Sequence, residues 1–214
     1  NSFSVATIAA ILCCIGATAL AYIDRNRSGL ISSSLVRLST LGYALPGLLL
    51  AIGLIGPLTW LDKSIARFFS EIFDIELGLL LTGSIFALLF VYIGRFITIS
   101  FNSISSGFSQ LHPNLDAVAR TLGADSSEVL RRIHVPLLRP SILVGMLLVF
   151  IDVVKELPAT LILRPFNFET LATRVYRLAS DERLAEASTA ALSIVLLGIL
   201  PAVLLFLIQD RKEA

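Results

Sequence analysis

The sequence predicts an all-α, polytopic bundle of about five membrane-spanning helices carrying a helical hairpin on one face. Three observations lead there. Apolar residues make up 56% of the 214 and charged ones only 15%, against roughly 25% charged in ordinary soluble domains, and mean hydropathy is +0.85. The apolar residues run in long blocks, without period-two or heptad spacing. Between the blocks lies "LHPNLDAVARTLGADSSEVLRRIHVPLLRP", too polar to span and too apolar on one side to be a free loop.

A membrane-spanning helix needs about 20 apolar residues. Residues 5–23, 38–61, 77–94 and 187–209 are nearly free of charge and long enough, and a fifth block, 141–163, is interrupted by Asp152, Lys155 and Glu156. Together they take up about half the chain and leave connections too short to bury a second core, so residues 1–214 read as one membrane domain. The opening "NSFSVATIAAILCCIG" has no starting Met, and its apolar run lacks the basic flank and small-residue cleavage site of a signal peptide. The expectation is a chain that forms the later half of something longer.

Basic residues close to helix ends hold a connection in the cytoplasm. Arg25, Arg27 and Arg37, then Arg120, Arg131, Arg132 and Arg139, then the tail "DRKEA" fit that side, and residues 62–76, with two basic and four acidic residues, fit the other. The N-terminus is then outside, the central stretch and C-terminus inside. Arg164, Arg174, Arg177 and Arg183 fall on a connection that alternation puts outside, against the rule. In that connection Leu171, Val175, Leu178 and Ala179 share a helical face, predicting a short surface helix. Phe166, Phe168 and Tyr176 read as interfacial anchors, and Pro46, Gly47 and Pro201 as kinks that shape the bundle.

Adjacent Cys13 and Cys14 point apart around a helix and have no metal-ligand spacing, so they read as core residues; His112 and His134 flank the central stretch without clustering with acids, and no metal site is expected. A net charge of +1 with scattered basic residues implies no nucleic-acid partner.

The central stretch carries the organisation. Pro113 suits a first helical position, Leu115, Val118, Ala119 and Leu122 make an apolar stripe, and Gly123 suits the position just past a helix end. Asp125 can cap a second helix with Glu128 as its reciprocal partner, while Val129, Leu130 and Ile133 form its apolar face until Pro136 stops it. The result is helix, glycine elbow, helix, within residues 112–139. By pattern alone it is either a grip for a soluble partner, with Arg120, Arg131 and Arg132 exposed, or an interfacial hairpin that anchors the bundle.

The spacing from Gly123 through Ile133 to Pro136, preceded by Ala119, Arg120 and Leu122, resembles the EAA motif of ABC-importer permeases. Ala117 stands where that motif has its glutamate, with Asp116 just upstream, and Val118 at its first alanine. The stretch "KELPATL" followed by "RPFNFETLATRVY" is similar to the C-terminal half of the ferric-iron permeases in that family. The resemblance runs from "GYALPG" to the tail. It implies an inner-membrane, multi-pass permease whose hairpin docks in a groove of an ABC ATPase through Asp116, Ala117, Ala119, Arg120, Gly123, Arg131, Arg132, Ile133 and Pro136. It also implies two ATPase copies using ATP and Mg, a periplasmic binding protein, a second permease half and surrounding lipid, with no cofactor on this chain. Ferric iron is the implied substrate. Thiamine, sulfate or a polyamine are the alternatives within the class, and a secondary transporter is the alternative outside it.

Asp152, Lys155 and Glu156, at i, i+3 and i+4, would share one helix face. Ionisable residues at membrane depth are costly and are functional candidates. Lys155 can pair with Asp152 and leave Glu156 near the break at Pro158. The face is either a structural ion pair or a gate making transient contact along the route, because fixed carboxylates would bind a trivalent ion too tightly to release it. No phosphate loop, H-E-x-x-H or nucleophile elbow is present. Catalysis by this chain is therefore not expected. Asp152 and Glu156 lie on one helix and cannot oppose each other across a substrate.

Overall fold

The computed structural model describes residues 1–26, 30–75, 78–112 and 114–213. It is helical in most of these residues: α1 (Ser2–Asn26), α2 (Leu30–Leu41), a single 3-10 turn (Gly42–Ala44), α3 (Gly47–Phe73) and α4 (Ile85–Ser109) come first. The hairpin follows as α5 (Leu115–Thr121), α6 (Ser126–Val129), a π turn (Leu130–His134) and α7 (Val135–Leu137); then come α8 (Arg139–Val154), α9 (Pro158–Leu163), α10 (Leu171–Ser180) and α11 (Leu184–Glu213). Among the described residues, α1, α3, α4 and α11 are each long and apolar enough to cross a membrane. A fifth candidate is the pair Ser126–Leu137 and Arg139–Val154, bent by 75°.

Helices α1, α4 and α8 make the core. Ala6, Ala9, Cys13, Ala17 and Ala21, spaced three to four residues apart, form a buried stripe of small side chains down α1, with Ala10 beside them. Lipid gives helices no hydrophobic reason to associate, so close backbone approach and interhelical hydrogen bonds do that work. Between α4 and α8 the approach is tight enough that a Cβ on Gly145 would lie 3.2 Å from Ser100 Cα, and one on Gly107 would lie 2.3 Å from Ser141 Oγ. Ser103 Oγ donates to Ser141 O at 2.8 Å, and Cys14 Sγ meets Ser100 Oγ at 3.4 Å. Both cysteines are buried free thiols, as the sequence predicts. The periphery differs: the most apolar windows of α3 and α11 are only 17% and 12% buried, leaving wide apolar faces outward.

The two ends of the bundle sort as alternation predicts. Asn1 Nδ2 donates to Glu169 O at 3.2 Å and Leu171 N donates to Ser2 Oγ at 2.6 Å, so α1 starts beside the α9–α10 connection. Its other end, at Arg25, meets the hairpin; Arg27 lies outside the described residues.

Three predicted spans are redrawn. Block 38–61 is broken, since Leu45 and Pro46 take extended ψ values and α3 starts only at Gly47, so Pro46 and Gly47 separate two helices instead of kinking one. Pro201 does lie within a helix, α11. Block 77–94 becomes α4, shifted toward the hairpin: residues 78–84 are non-helical, Leu77 lies outside the described residues, and the helix runs past Gly94 to Ser109. The cause is Asp62. Its buried carboxylate accepts from the N–H groups of Leu80 (3.0 Å), Leu81 (2.8 Å) and Thr82 (2.8 Å), and Gly83 then turns the chain at φ +73°. Block 141–163 divides at residues 155–157 into α8 and α9.

The surface-helix prediction corresponds to α10, opened by a capping box between Thr170 and Thr173. Its buried side is Ala172, Thr173 and Leu178, with Ala179 exposed, and α11 packs against the helix. Phe166 and Tyr176 are exposed, whereas Phe168 packs against the main core.

Replacing Asp62 by Ala strips three backbone donors of a charged acceptor, each such bond contributing about 1.5–3 kcal/mol. Amide exchange at Leu80, Leu81 and Thr82 should accelerate by at least tenfold in the variant, with α1 and α8 unaffected.

Candidate functional site

Two ionic clusters hold the predicted site residues. The first lies where α8 breaks. Lys155 Nζ meets Asp152 Oδ1 at 2.6 Å, as i, i+3 spacing predicts. Glu156 does not follow Lys155 outward. The α-helix ends at Val154, Pro158 opens α9, and the intervening turn rotates Glu156 inward: its side chain is 8% exposed, against 60% for Lys155.

Glu156 Oε1 accepts from Arg95 on α4 at 3.0 Å and from the backbone N–H of Ala159 at 3.3 Å, which caps α9. Thr160 Oγ1 donates back to Glu156 O at 2.8 Å and shares a 2.6 Å hydrogen bond with Tyr92 of α4. The Arg95 guanidinium stands 5.3 Å from the Phe96 ring centroid. Gly47 comes so close that an added Cβ would lie 2.1 Å from an Arg95 nitrogen and 2.6 Å from Glu156 Oε1. Thus α3, α4 and the α8–α9 break meet at one ion pair.

Sequence reasoning does not single out Arg95, and it reads Gly47 only as a kink. A signal for Arg95 exists: "VYIGRFITIS" continues apolar on both sides of a single cation, which then requires a buried partner. Nothing local marks Gly47 as the close neighbour of an ion pair.

The second cluster is the hairpin. Gly123 takes φ +88° at the elbow, where a side chain would be strained. Asp125 caps α6 by accepting from Glu128 N at 2.6 Å, while the Glu128 carboxylate bonds Arg132 at 2.7 Å. Pro136 does not stop the helix. Its ring lacks an N–H for the Arg132 carbonyl, and the π turn at Leu130–His134 absorbs the mismatch, so the helix continues to Leu137. Pro113 lies outside the described residues. The predicted stripe is split: Ala119 is buried, whereas Val118 and Leu122 are 56% and 83% exposed. Ala117, Arg120, Arg131 and Arg132 are exposed alongside them, with Ile133 and Pro136 half-buried.

Asp116 faces inward. Oδ2 accepts from Arg25 Nε at 3.0 Å and Oδ1 lies 3.1 Å from Nε2 of fully buried His134. Arg25 also donates to the carbonyls of Phe108 at 2.8 Å and His112 at 3.2 Å. Among the described residues neither cluster, nor any other group of side chains, assembles three His, Cys, Asp or Glu in metal-ligating proximity.

A bundle of apolar helices with buried ion pairs at its breaks and a polar hairpin at one end is the architecture of a multi-pass membrane protein. The chain belongs to the family of binding-protein-dependent transport system inner membrane components, whose model matches residues 5–213. It is 26% identical over 205 residues to the Fe(3+)-transport system permease protein FbpB 2 of Haemophilus influenzae, covering 96% of this chain and 37% of that one. Over 114 residues it is 30% identical to the ferric transport system permease protein FbpB of Actinobacillus pleuropneumoniae, covering 53% of this chain and 16% of that one. It is also 32% identical over 110 residues to the putative 2-aminoethylphosphonate transport system permease protein PhnV of Salmonella typhimurium, covering 51% and 40% of the two chains. The matched stretches cover 37%, 16% and 40% of these relatives' own lengths.

Gly47→Ala should force the Arg95–Glu156 pair apart, and Arg95→Ala should leave Glu156 as an uncompensated buried charge. Breaking one partner of such a pair costs about 3–5 kcal/mol. Thermal unfolding in detergent should fall markedly for both variants and less for Glu156→Gln, which keeps an acceptor for Ala159.

Proposed function

We propose that this chain forms a transmembrane domain of an ATP-driven importer that takes up ferric iron delivered by a periplasmic binding protein. The observation that carries this reading is the similarity along 96% of the chain to a permease named for Fe(3+) transport. The hairpin, with Gly123 as its elbow and Ala117, Arg120, Arg131 and Arg132 exposed, supplies the docking surface for an ABC ATPase. Two ATPase copies hydrolyse Mg-ATP, a second permease half completes the pathway, and this chain holds no cofactor. Hydrolysis drives the halves between outward-open and inward-open states.

In this reading the α8–α9 break is the gate. Glu156 is held by Arg95 and the α9 N-terminus rather than free to chelate, so a passing cation meets a neutralised carboxylate and is released. Asp152 and Lys155 neutralise each other at its edge. A second reading, transport of a phosphonate by the same type of permease, is favoured by the 32% identity to the protein named for 2-aminoethylphosphonate.

ATP-dependent uptake of labelled ferric iron into proteoliposomes holding the full permease, its ATPase and its binding protein tests the substrate. Uptake of 2-aminoethylphosphonate but not iron would favour the second reading. Glu156→Gln should lower iron uptake at least tenfold with ATPase binding intact. Unchanged uptake would return the break to a purely structural role.

In the same system Gly123→Pro, which cannot adopt φ +88°, and Arg131→Glu should each release the ATPase from the membrane. Retention of the ATPase by both variants would sink the docking assignment.

A further inference from the structure

The hairpin is fastened to the bundle through the last turns of α1, by contacts on three of its parts. From α5, Asp116 reaches Arg25 at 3.0 Å. From α6, the Ser126 carbonyl accepts from Tyr22 Oη at 2.8 Å. From the π turn, His134 sits with its ring 5.6 Å from Tyr22 and 5.1 Å, edge to face, from Phe108 at the end of α4. Arg25 adds the fourth side by donating to Phe108 O and His112 O, with its guanidinium 5.6 Å from the Phe108 ring centroid.

We propose that Arg25, Asp116 and His134 form a strut that carries displacement of the hairpin into α1, so that Asp116 is a positioning residue inside the permease. The proposal rests on the docking reading above. It assigns Asp116 a different task from the exposed Arg120 and Arg131, although it lies in the same motif. The Asp116 side chain is only 14% exposed and Arg25 16%, so the carboxylate presents little of itself to a docked partner. Its ties run to α1 and to the π turn, not outward.

The geometry suits a contact that is remade during motion. His134 Nε2 and Asp116 Oδ1 approach to 3.1 Å, yet their alignment is poor enough that neither ring nitrogen has an in-line hydrogen bond among the described residues. A buried donor and acceptor this close and still misaligned can gain a bond from a small shift of the hairpin relative to α1. The π turn places one extra residue in the helical ladder at this contact, a feature frequent at functional sites. Helix α1 receives the push directly at Arg25 and passes it along its alanine stripe to α4 and α8.

The test uses the full transporter in proteoliposomes and reads three quantities: ATPase retained on the permease, ATP hydrolysed, and labelled ferric iron taken up per ATP. Asp116→Asn and Arg25→Gln should each keep ATPase retention within about twofold of the parent while uptake per ATP falls at least tenfold. The Arg25→Gln/Asp116→Asn double variant should be no worse than either single, because both act through one strut. Asp116→Glu, which keeps the charge, should recover most of the lost uptake. Tyr22→Phe, a mild change, should lower uptake per ATP severalfold even if the charge variants fold poorly. Asp116→Asn releasing the ATPase as Arg131→Glu does, or multiplying losses in the double variant, would overturn the strut. If the parent hydrolyses ATP without moving iron, only the substrate is wrong, and the tenfold loss should appear in hydrolysis stimulated by the binding protein. A parent that never retains an ATPase overturns both the strut and the docking reading.

Discussion

Backbone N–H and C=O groups need partners wherever water does not reach them, and a membrane protein that interrupts its helices must find those partners in side chains. Three largely buried ionised groups serve that need. Asp62 accepts from three N–H groups that precede α4, Glu156 accepts from the Ala159 N–H in the first turn of α9, and Arg25 donates hydrogen bonds to carbonyls at and beyond the end of α4. Two of the three are also half of an ion pair, Glu156 with Arg95 and Arg25 with Asp116. The charge that closes a break also ties it to a neighbouring helix.

This sets a division of labour. Helices α1, α4 and α8 are brought together by alanine, serine and glycine, whose small volumes allow hydrogen bonds and backbone contact over a long seam. Helices α3 and α11 keep broad apolar faces outward and join the trio at fewer places. The hairpin and the α8–α9 break both attach to the trio through charge, by Arg25–Asp116 and Arg95–Glu156.

Much of this was legible in the residues themselves. The helical class, the core role of Cys13 and Cys14, the glycine elbow at 123, the Asp125 cap and the Asp152–Lys155 pair all follow from spacing of a few residues along one helix. What escaped involved partners far apart in the chain. Arg95 and Glu156 are 61 residues apart, and Arg25 and Asp116 are 91 apart. Asp62 looked like the start of a polar connection, yet it holds residues eighteen to twenty positions later and thereby moves the start of α4.

Hydropathy and local caps are properties of neighbouring residues, so the order of the amino acids was enough to establish that the chain lives in a membrane, how many apolar helices it offers, and where a polar hairpin interrupts them. Three-dimensional packing was needed to fix where the helices break, to turn Glu156 away from Lys155, and to point Asp116 into the protein and not out of it. Those outcomes depend on which distant group closes each exposed backbone end, and that is settled by packing across α1, α3, α4 and α8.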